Sequence, residues 1–430
     1  MNDITQALSN LEAWLETMRV PGGYGGPVVH WWQNCLAYTG PGCDWRYEGI
    51  IAGYVTLWQR TGNSAWLDKA RCAGDDLLGA QLPGGNFRAS AFELNPYPGG
   101  TPHEAAADVG LLLLSRALRA AGSQNWNRYA ETAERNLRSF YIGRLWDNDA
   151  QLFVDNWSLP SFVPNKACTI VEALILLSEL QGSNELIECY ALPTLRQVVS
   201  MQRRDNGLLK GAFAQAQIRN RVVEKYFPYY VARCIPALVQ TYRLTREQQW
   251  LDAAMAARDF ILLVTEESGL LPQVVYLKGM NRWPQWLAPL GDCLRAVKML
   301  DEYMPVADVS RTEAALLAAQ VPSGGFATAR GFDSQVSARQ EPRTDFRDLV
   351  CVSGWNDKVF RFLAGRAHLE ADLPLPNLAP FRTKCTVKKQ PASWEEDYRG
   401  IRLRIGSQTA YSWEKGQLWA SKLAPVVMWK

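Results

Sequence analysis

The chain has 430 residues, 47% of them hydrophobic, which is ample for a large buried core. Its 46 Lys and Arg against 43 Asp and Glu leave a net charge of +3. That is too little to specify nucleic acid or an acidic membrane as a partner. The longest aliphatic run, Leu111–Leu114, falls far short of the ~20 residues of a membrane-spanning helix. No transmembrane segment is expected, and peripheral membrane contact stays open.

In chain order, apolar residues recur at helical spacing over 3–19, 45–61, 64–80, 103–121, 125–141, 164–181, 184–202, 228–244, 247–265, 284–303, 309–320 and 346–365. Asp44, Ser64, Thr101 and Ser183 stand where N-caps are needed, and Pro164, Pro228 and Pro284 in first turns. Helical hairpins repeat. Gly62, Gly122, Gly182, Thr245 and Pro305 follow successive helices at steps of 60, 60, 63 and 60 residues. A fixed period of this kind marks one supersecondary unit stacked on its neighbours.

The segments alternate in character. Those at 45–61, 103–121, 164–181, 228–244, 284–303 and 346–365 are apolar almost all round, and the others are amphipathic. All-round apolar helices are buried, and amphipathic ones keep a solvent face. The expected fold is all-α: an (α/α)6 barrel of six inner and six outer helices over residues 1–367. After it, Pro374, Pro376 and Pro380 stop helix formation. Phe381–Lys388, Ile401–Ile405 and Gln408–Trp413 then read as short strands of an extension, 368–430, packed on the barrel.

Nine cysteines, an odd number with no CxxC pair, read as reduced thiols in a cytoplasmic protein. The first residues lack a basic stretch followed by an apolar one, so no signal peptide is expected. The three histidines form no HExxH or Cys/His spacing, so neither catalytic metal nor cofactor is expected. Asp75-Asp76 lacks the further acidic residue of a diphosphate-binding motif. Oligomeric state is not legible.

The breaks leading into the apolar helices are long (20–44, 81–102, 142–163, 203–227, 266–283 and 321–345), whereas the return breaks are short. Long loops at one end of a barrel form a mouth where function concentrates. Aromatic residues gather there: Trp31, Trp32, Trp45, Tyr47, Trp157, Phe162, Tyr226, Phe227, Tyr230, Trp283, Trp286, Phe346 and Trp355. Their faces suit sugar rings or carbocations. Glu104 and Asp108 in His103-Glu-Ala-Ala-Ala-Asp108 are four apart and share a helix face, where one carboxyl could be held protonated as a general acid. Asp345 and Asp348 form a second acidic pair, which could act as a base, as a hydrogen-bond partner across the mouth, or as part of an Arg-paired structural network. Lys166 and Arg282 could hold an anionic group.

The breaks Gln81…Gly84…Phe87, Gln202…Gly207 and Gln320…Gly324…Phe326, with a buried Asp and an aromatic mouth, resemble class II terpene cyclases, and among them the single-barrel bacterial meroterpenoid cyclases. The resemblance spans roughly residues 1–367 but lacks the family's DxDD motif. It implies a metal-free isomerase of secondary metabolism that folds a small, hydrophobic, prenylated (farnesylated) aromatic substrate. Asp108 would be the general acid, and aromatic faces would stabilise the cation. A second reading keeps the barrel but makes it a glycoside hydrolase, with Asp108 and Asp345 or Asp348 flanking the scissile bond. A third is a non-catalytic scaffold. Polarity separates the first two: a cyclase needs a dry, almost wholly apolar interior, and a sugar enzyme a polar one.

Overall fold

The computed structural model describes residues 4–30, 33–39, 41–88, 104–155, 159–219, 221–333, 344–369, 372–414, 416–424 and 426–428. Among these the α-helices are α1 (Ile4–Thr17), α2 (Arg46–Thr61), α3 (Ser64–Ala80), α4 (Glu104–Ala120), α5 (Asn127–Asn136), α6 (Pro164–Gln181), α7 (Leu192–Ser200), α8 (Pro228–Thr245), α9 (Gln248–Val264), α10 (Leu290–Lys298), α11 (Ser310–Leu317) and α12 (Ser353–Arg366). Contacts run α2–α4–α6–α8–α10–α12 and back from α12 to α2, closing a ring. Around it α3 packs on α2, α5 on α4, α7 on α6, α9 on α8, α11 on α10 and α1 on α12. The result is a two-layered helical barrel.

Sequence explains the layering. In α6 every residue from Ala167 to Ser178 is buried, as a helix apolar on all faces requires. Pro164 occupies its first position, where no intrahelical N–H is lost, and Gly182 ends it in the left-handed region at φ 67°. Gly62 and Gly122 end their helices similarly (φ 71° and 74°), which is the physical content of the sixty-residue punctuation. After α8 the left-handed position falls on Arg246, one residue past Thr245.

The Gln…Gly breaks are clamps between consecutive outer helices. Gln81 Nε2 donates to Gly85 O and Thr132 O, both at 2.8 Å. Gln202 Nε2 donates to Gly211 O at 2.9 Å and Ala253 O at 2.8 Å. Gln320 Nε2 donates to Gly324 O at 2.9 Å and Ala7 O at 2.8 Å. One amide thus ties α3 to α5, α7 to α9, and α11 to α1; the last joins the two ends of the outer layer. The second clamp closes at Gly211 and Phe213 rather than at Gly207. Each clamp glycine lies at positive φ against a carbonyl of the next helix, where a Cβ would sit 2.7 Å (Gly85), 1.9 Å (Gly211) or 2.4 Å (Gly324) from that oxygen.

Four segments differ from the periodicity; in one of them, 184–202, Ile187–Ala191 winds as a π-helix before α7. The span 346–365 divides into a 3-10 turn, Phe346–Leu349, and α12, because Val350 and Val352 adopt extended backbone between them. In 284–303 Gln285–Trp286 pairs as a strand with Ala329–Arg330 and the helix starts only at Leu290. Pro284 follows a cis peptide and caps nothing. Following α5, Leu137–Leu145 winds as a π-helix.

The C-terminal strands form a sequential five-stranded antiparallel sheet: Phe381–Val387, Gln390–Asp397, Gly400–Ile405, Gln408–Glu414 and Gln417–Ala420. The second and fifth escaped the sequence reading, since the Pro and acidic residues of one and the shortness of the other hide the alternation. Trp14 Nε1 of α1 donates to Glu396 Oε1 at 2.8 Å, which fixes the sheet to the barrel. Thr386 N donates to Thr344 O at 3.0 Å, reaching the break before α12.

Glycine substitutions test the clamps. Gly211→Ala meets both a clash and positive φ and is expected to cost about 3 kcal/mol. Gly62→Ala, with open space around it, is expected to cost only about 1–2 kcal/mol. Urea unfolding of the two variants against the parent measures the difference.

Candidate active site

At the N-terminal ends of the ring helices the rings of four elements meet. Trp45 precedes α2, Tyr229 and Tyr230 open α8, Trp286 precedes α10 and Trp355 lies in the first turn of α12. Trp355 lies 5.7 Å from Trp45, 5.4 Å from Trp286 and 5.9 Å from Tyr229, centroid to centroid. Tyr229 is 4.3 Å from Tyr230, and Phe227 is 5.0 Å from Tyr230. Trp45 Nε1 donates to Gly354 O at 2.6 Å, which locks that ring between α2 and α12. Edge-to-face and tilted pairs of this kind contribute ~0.5–1.5 kcal/mol each beyond their burial.

Below the rings lies a layer of charge. Glu48 is the third residue of α2, Asp292 the third of α10, Arg233 the sixth of α8, and Glu172 and Arg361 the ninth of α6 and α12. At 1.5 Å per residue they sit ~3–12 Å inside the helix starts. Arg233 reaches Glu48 at 2.9 Å and Glu172 at 3.1 Å. Arg361 reaches Glu48 at 2.6 Å and Asp292 at 2.7 Å, and Arg295 lies 3.7 Å from Asp292. Lys358 pairs with Asp357 at 2.7 Å and donates to Trp45 O at 3.2 Å. Four acids face four bases in this layer.

Burial raises the Glu48 carboxyl, but the Arg233 and Arg361 guanidiniums outweigh it and hold the group at about 2. Burial likewise opposes Arg361 and Arg295 at Asp292, and the cations win, holding it below the usual carboxylate range. At Glu172 burial wins over Arg233 and the carboxyl is raised. Burial also pushes Asp357 up to about 8 against Lys358. Asp357 Oδ2 accepts from Gly49 N at 3.2 Å, which places this acid between α12 and α2.

The residues singled out from the sequence divide into groups. Asp108, on α4, is fully buried. The Glu104 side chain, Trp31, Trp32 and Trp157 lie outside the described residues. Trp45, Phe227, Tyr230, Trp286 and Trp355 lie together at the mouth.

Others are spoken for by the fold. Tyr47 Oη donates to Asp76 at 3.2 Å and accepts from Tyr24 N, facing the outer layer. Tyr226 Oη donates to Glu224. Phe162 is buried in the strand Ser161–Phe162, and Phe346 in the 3-10 turn. Trp283 covers Gly331. Lys166 is paired with Asp155 at 2.7 Å, and Arg282 with Glu266 at 3.0 Å on the exposed rim.

The expectation of a base at Asp345 or Asp348 is corrected. Asp345 accepts from Arg347 N and Nε at 2.9 and 2.7 Å. Asp348 accepts from Asp345 N at 3.1 Å and Phe332 N at 3.0 Å, so the two form a capping box.

Sequence reasoning selected none of Glu48, Glu172, Arg233, Asp292, Arg295, Asp357, Lys358 and Arg361 as site residues. The signal was there: isolated charges inside helices that are otherwise apolar on every face.

No protein-family model matches the sequence, and no curated protein matches it. Solved structures do match the fold. A possible member of the GH105 family from Klebsiella pneumoniae is similar at a TM-score of 0.59 and 10% identity, over 84% of this chain and 92% of that one. An unsaturated glucuronyl hydrolase specific for heparin gives 0.57 and 11%, over 84% and 95%. The GH76A alpha-1,6-mannanase of Salegentibacter sp. HEL1_6 gives 0.56 and 14%, over 85% and 99%. At these identities the likeness speaks for the fold alone, a helical barrel of the (α/α)6 type.

The cyclase expectation is therefore corrected, together with its isomerase chemistry and its prenylated aromatic substrate. These barrels belong to carbohydrate enzymes, and eight charged side chains cross an interior that cation cyclisation requires to be apolar.

Two measurements test the site's electrostatics. Arg361→Met strands Glu48 and Asp292 and is expected to cost about 3–5 kcal/mol. With Glu48→Gln added, the double variant should lose clearly less than the sum of the singles in a urea double-mutant cycle. Asp348 is the pH probe: burial raises it from 3.8 to about 6. A folded value above the unfolded one favours the fold while the group is protonated. Stability should thus fall by about 3 kcal/mol as pH rises from about 4 to about 6, and Asp348→Asn should remove that slope.

Proposed function

We propose that this chain is a carbohydrate-active enzyme that cleaves a glycosidic bond at the N-terminal mouth of its barrel. One observation carries the reading: the rings of Trp45, Tyr229, Trp286 and Trp355 lie directly over a layer of buried charge. A sugar needs both surfaces. Its C–H faces stack on aromatic rings, and its hydroxyls take hydrogen bonds from charged groups, which are the stronger partners. The matching carbohydrate-enzyme barrels support the same reading.

In it Asp108 is the general acid, brought in by α4 at the same end of the ring. Glycoside cleavage needs a second carboxylate across the bond. Asp345 and Asp348, committed to their turn, do not supply it. Glu104, one turn before Asp108, is the remaining member of the pair. Residues 1–367 then form a catalytic (α/α)6 barrel of six inner and six outer helices, and 368–430 its extension. The cysteine pattern supports a cytoplasmic location.

The test is a panel of unsaturated glucuronyl disaccharides, alpha-1,6-mannooligosaccharides and aryl glycosides, read by release of reducing ends or aglycone. Turnover of one class is expected. Asp108→Asn should lower kcat by about 10²- to 10⁴-fold with little change in melting temperature, and Trp355→Ala should chiefly raise KM. If no panel member is cleaved or raises the melting temperature, the reading fails.

A further inference from the structure

Two hairpins project from the rim of the mouth. One is Ala216–Ile218 with Arg221–Val223, and the other is Val274–Tyr276 with Gly279–Asn281. They are joined side by side, because Tyr226 N donates to Val275 O at 3.0 Å and Val275 N to Tyr226 O at 2.8 Å. That pairing is antiparallel. Stepping back from Tyr226 to Val222 and forward from Val275 to Leu277 therefore moves the same way, away from the start of α8. Both tips point to one side.

The tips are apolar and basic together. Leu277 is 56% exposed, Val222 46%, Met280 39% and Tyr276 37%, and Leu159, just before the strand Ser161–Phe162, 44%. Among them stand Arg219, Arg221, Lys225, Lys278 and Arg282, against one acid, Glu224. These two stretches, 219–225 and 276–282, carry a net +4, while the whole chain carries only +3. The charge that looked negligible over 430 residues is concentrated at one rim. Arg282 is paired with Glu266, and Glu224 accepts from Tyr226 Oη.

We propose that these two hairpins dock the barrel mouth onto an anionic lipid membrane. The tips enter the interface, and the flanking bases meet the headgroups. Leu277 and Met280, either side of Lys278, gain only where apolar side chains leave water, while the bases gain only near anionic charge. A soluble polyanion would be matched by bases alone. A second copy of the chain would bring an identical basic rim and be repelled. This inference stands on the rim and is independent of the reaction at the mouth.

Co-sedimentation of the full chain with phosphatidylcholine vesicles, with and without phosphatidylglycerol, tests it. Binding is expected to the anionic vesicles alone and to weaken as salt is raised. Lys278→Gln should weaken it by about fivefold, and Leu277→Asp should abolish it. Both positions are exposed, and unchanged melting temperatures confirm folded variants. The proposal is overturned if the parent chain ignores anionic vesicles or if both variants bind as the parent does. It is equally overturned if Lys278→Gln affects only retention on heparin, or Leu277→Asp only a concentration-dependent dimer, without vesicle binding.

Discussion

Charge inside a helical ring must cancel where it lies, because water is not there to screen it. Glu48 meets this condition by accepting from Arg233 of α8 and Arg361 of α12 at once. Arg361 carries the chain of pairs on to Asp292 of α10, and Arg233 to Glu172 of α6. Five of the ring helices are thereby held in axial register by one network of ion pairs. A slip of any of them by a turn would leave a buried ion without its partner. The aromatic rings of the mouth stand on those same helices, so their spacing is inherited from the charge layer below.

The outer layer is held by different physics. A glutamine amide at the end of one outer helix donates to its own break and to a carbonyl of the next outer helix, and a glycine at positive φ lets the two backbones approach. These clamps hold the ends of the hairpins opposite the short returns, and so fix where the long breaks rise to the mouth. On the inner side Gly49 and Gly53 of α2 do related work, leaving room for Asp357 and Phe360 of α12. The C-terminal sheet adds a brace: Glu396 receives Trp14 of α1, and Thr386 reaches Thr344 beside the capped turn of Asp345 and Asp348.

The clamps also explain why the terpene-cyclase resemblance misled. Gln…Gly…aromatic breaks solve the problem of ending one helix against the next, and any barrel of stacked helical hairpins faces that problem. They report architecture and carry no chemistry. The aromatic residues of the breaks were informative because position alone sends them to one end. Four of the six polar residues chosen there were not, because Lys166, Arg282, Asp345 and Asp348 find partners within their own loops or turns.

The helix periods, the sixty-residue punctuation and the alternation of all-round apolar with amphipathic helices are local properties. They depend on which residues lie three and four apart and on which residue tolerates a left-handed backbone. The sequence by itself therefore determined the two-layered barrel, its helix ends and the end at which the mouth lies. Pairing is a different matter. Glu48 and Arg361 are 313 residues apart, and Gln320 and Ala7 the same distance, so no local pattern announces either contact. Only the tertiary structure decided that the interior is charged rather than apolar, that Asp345 and Asp348 cap a turn, and that two hairpin tips distant in sequence gather their bases on one rim. Electrostatic cancellation and hydrogen-bond satisfaction are settled among side chains in space, after the backbone has brought them together.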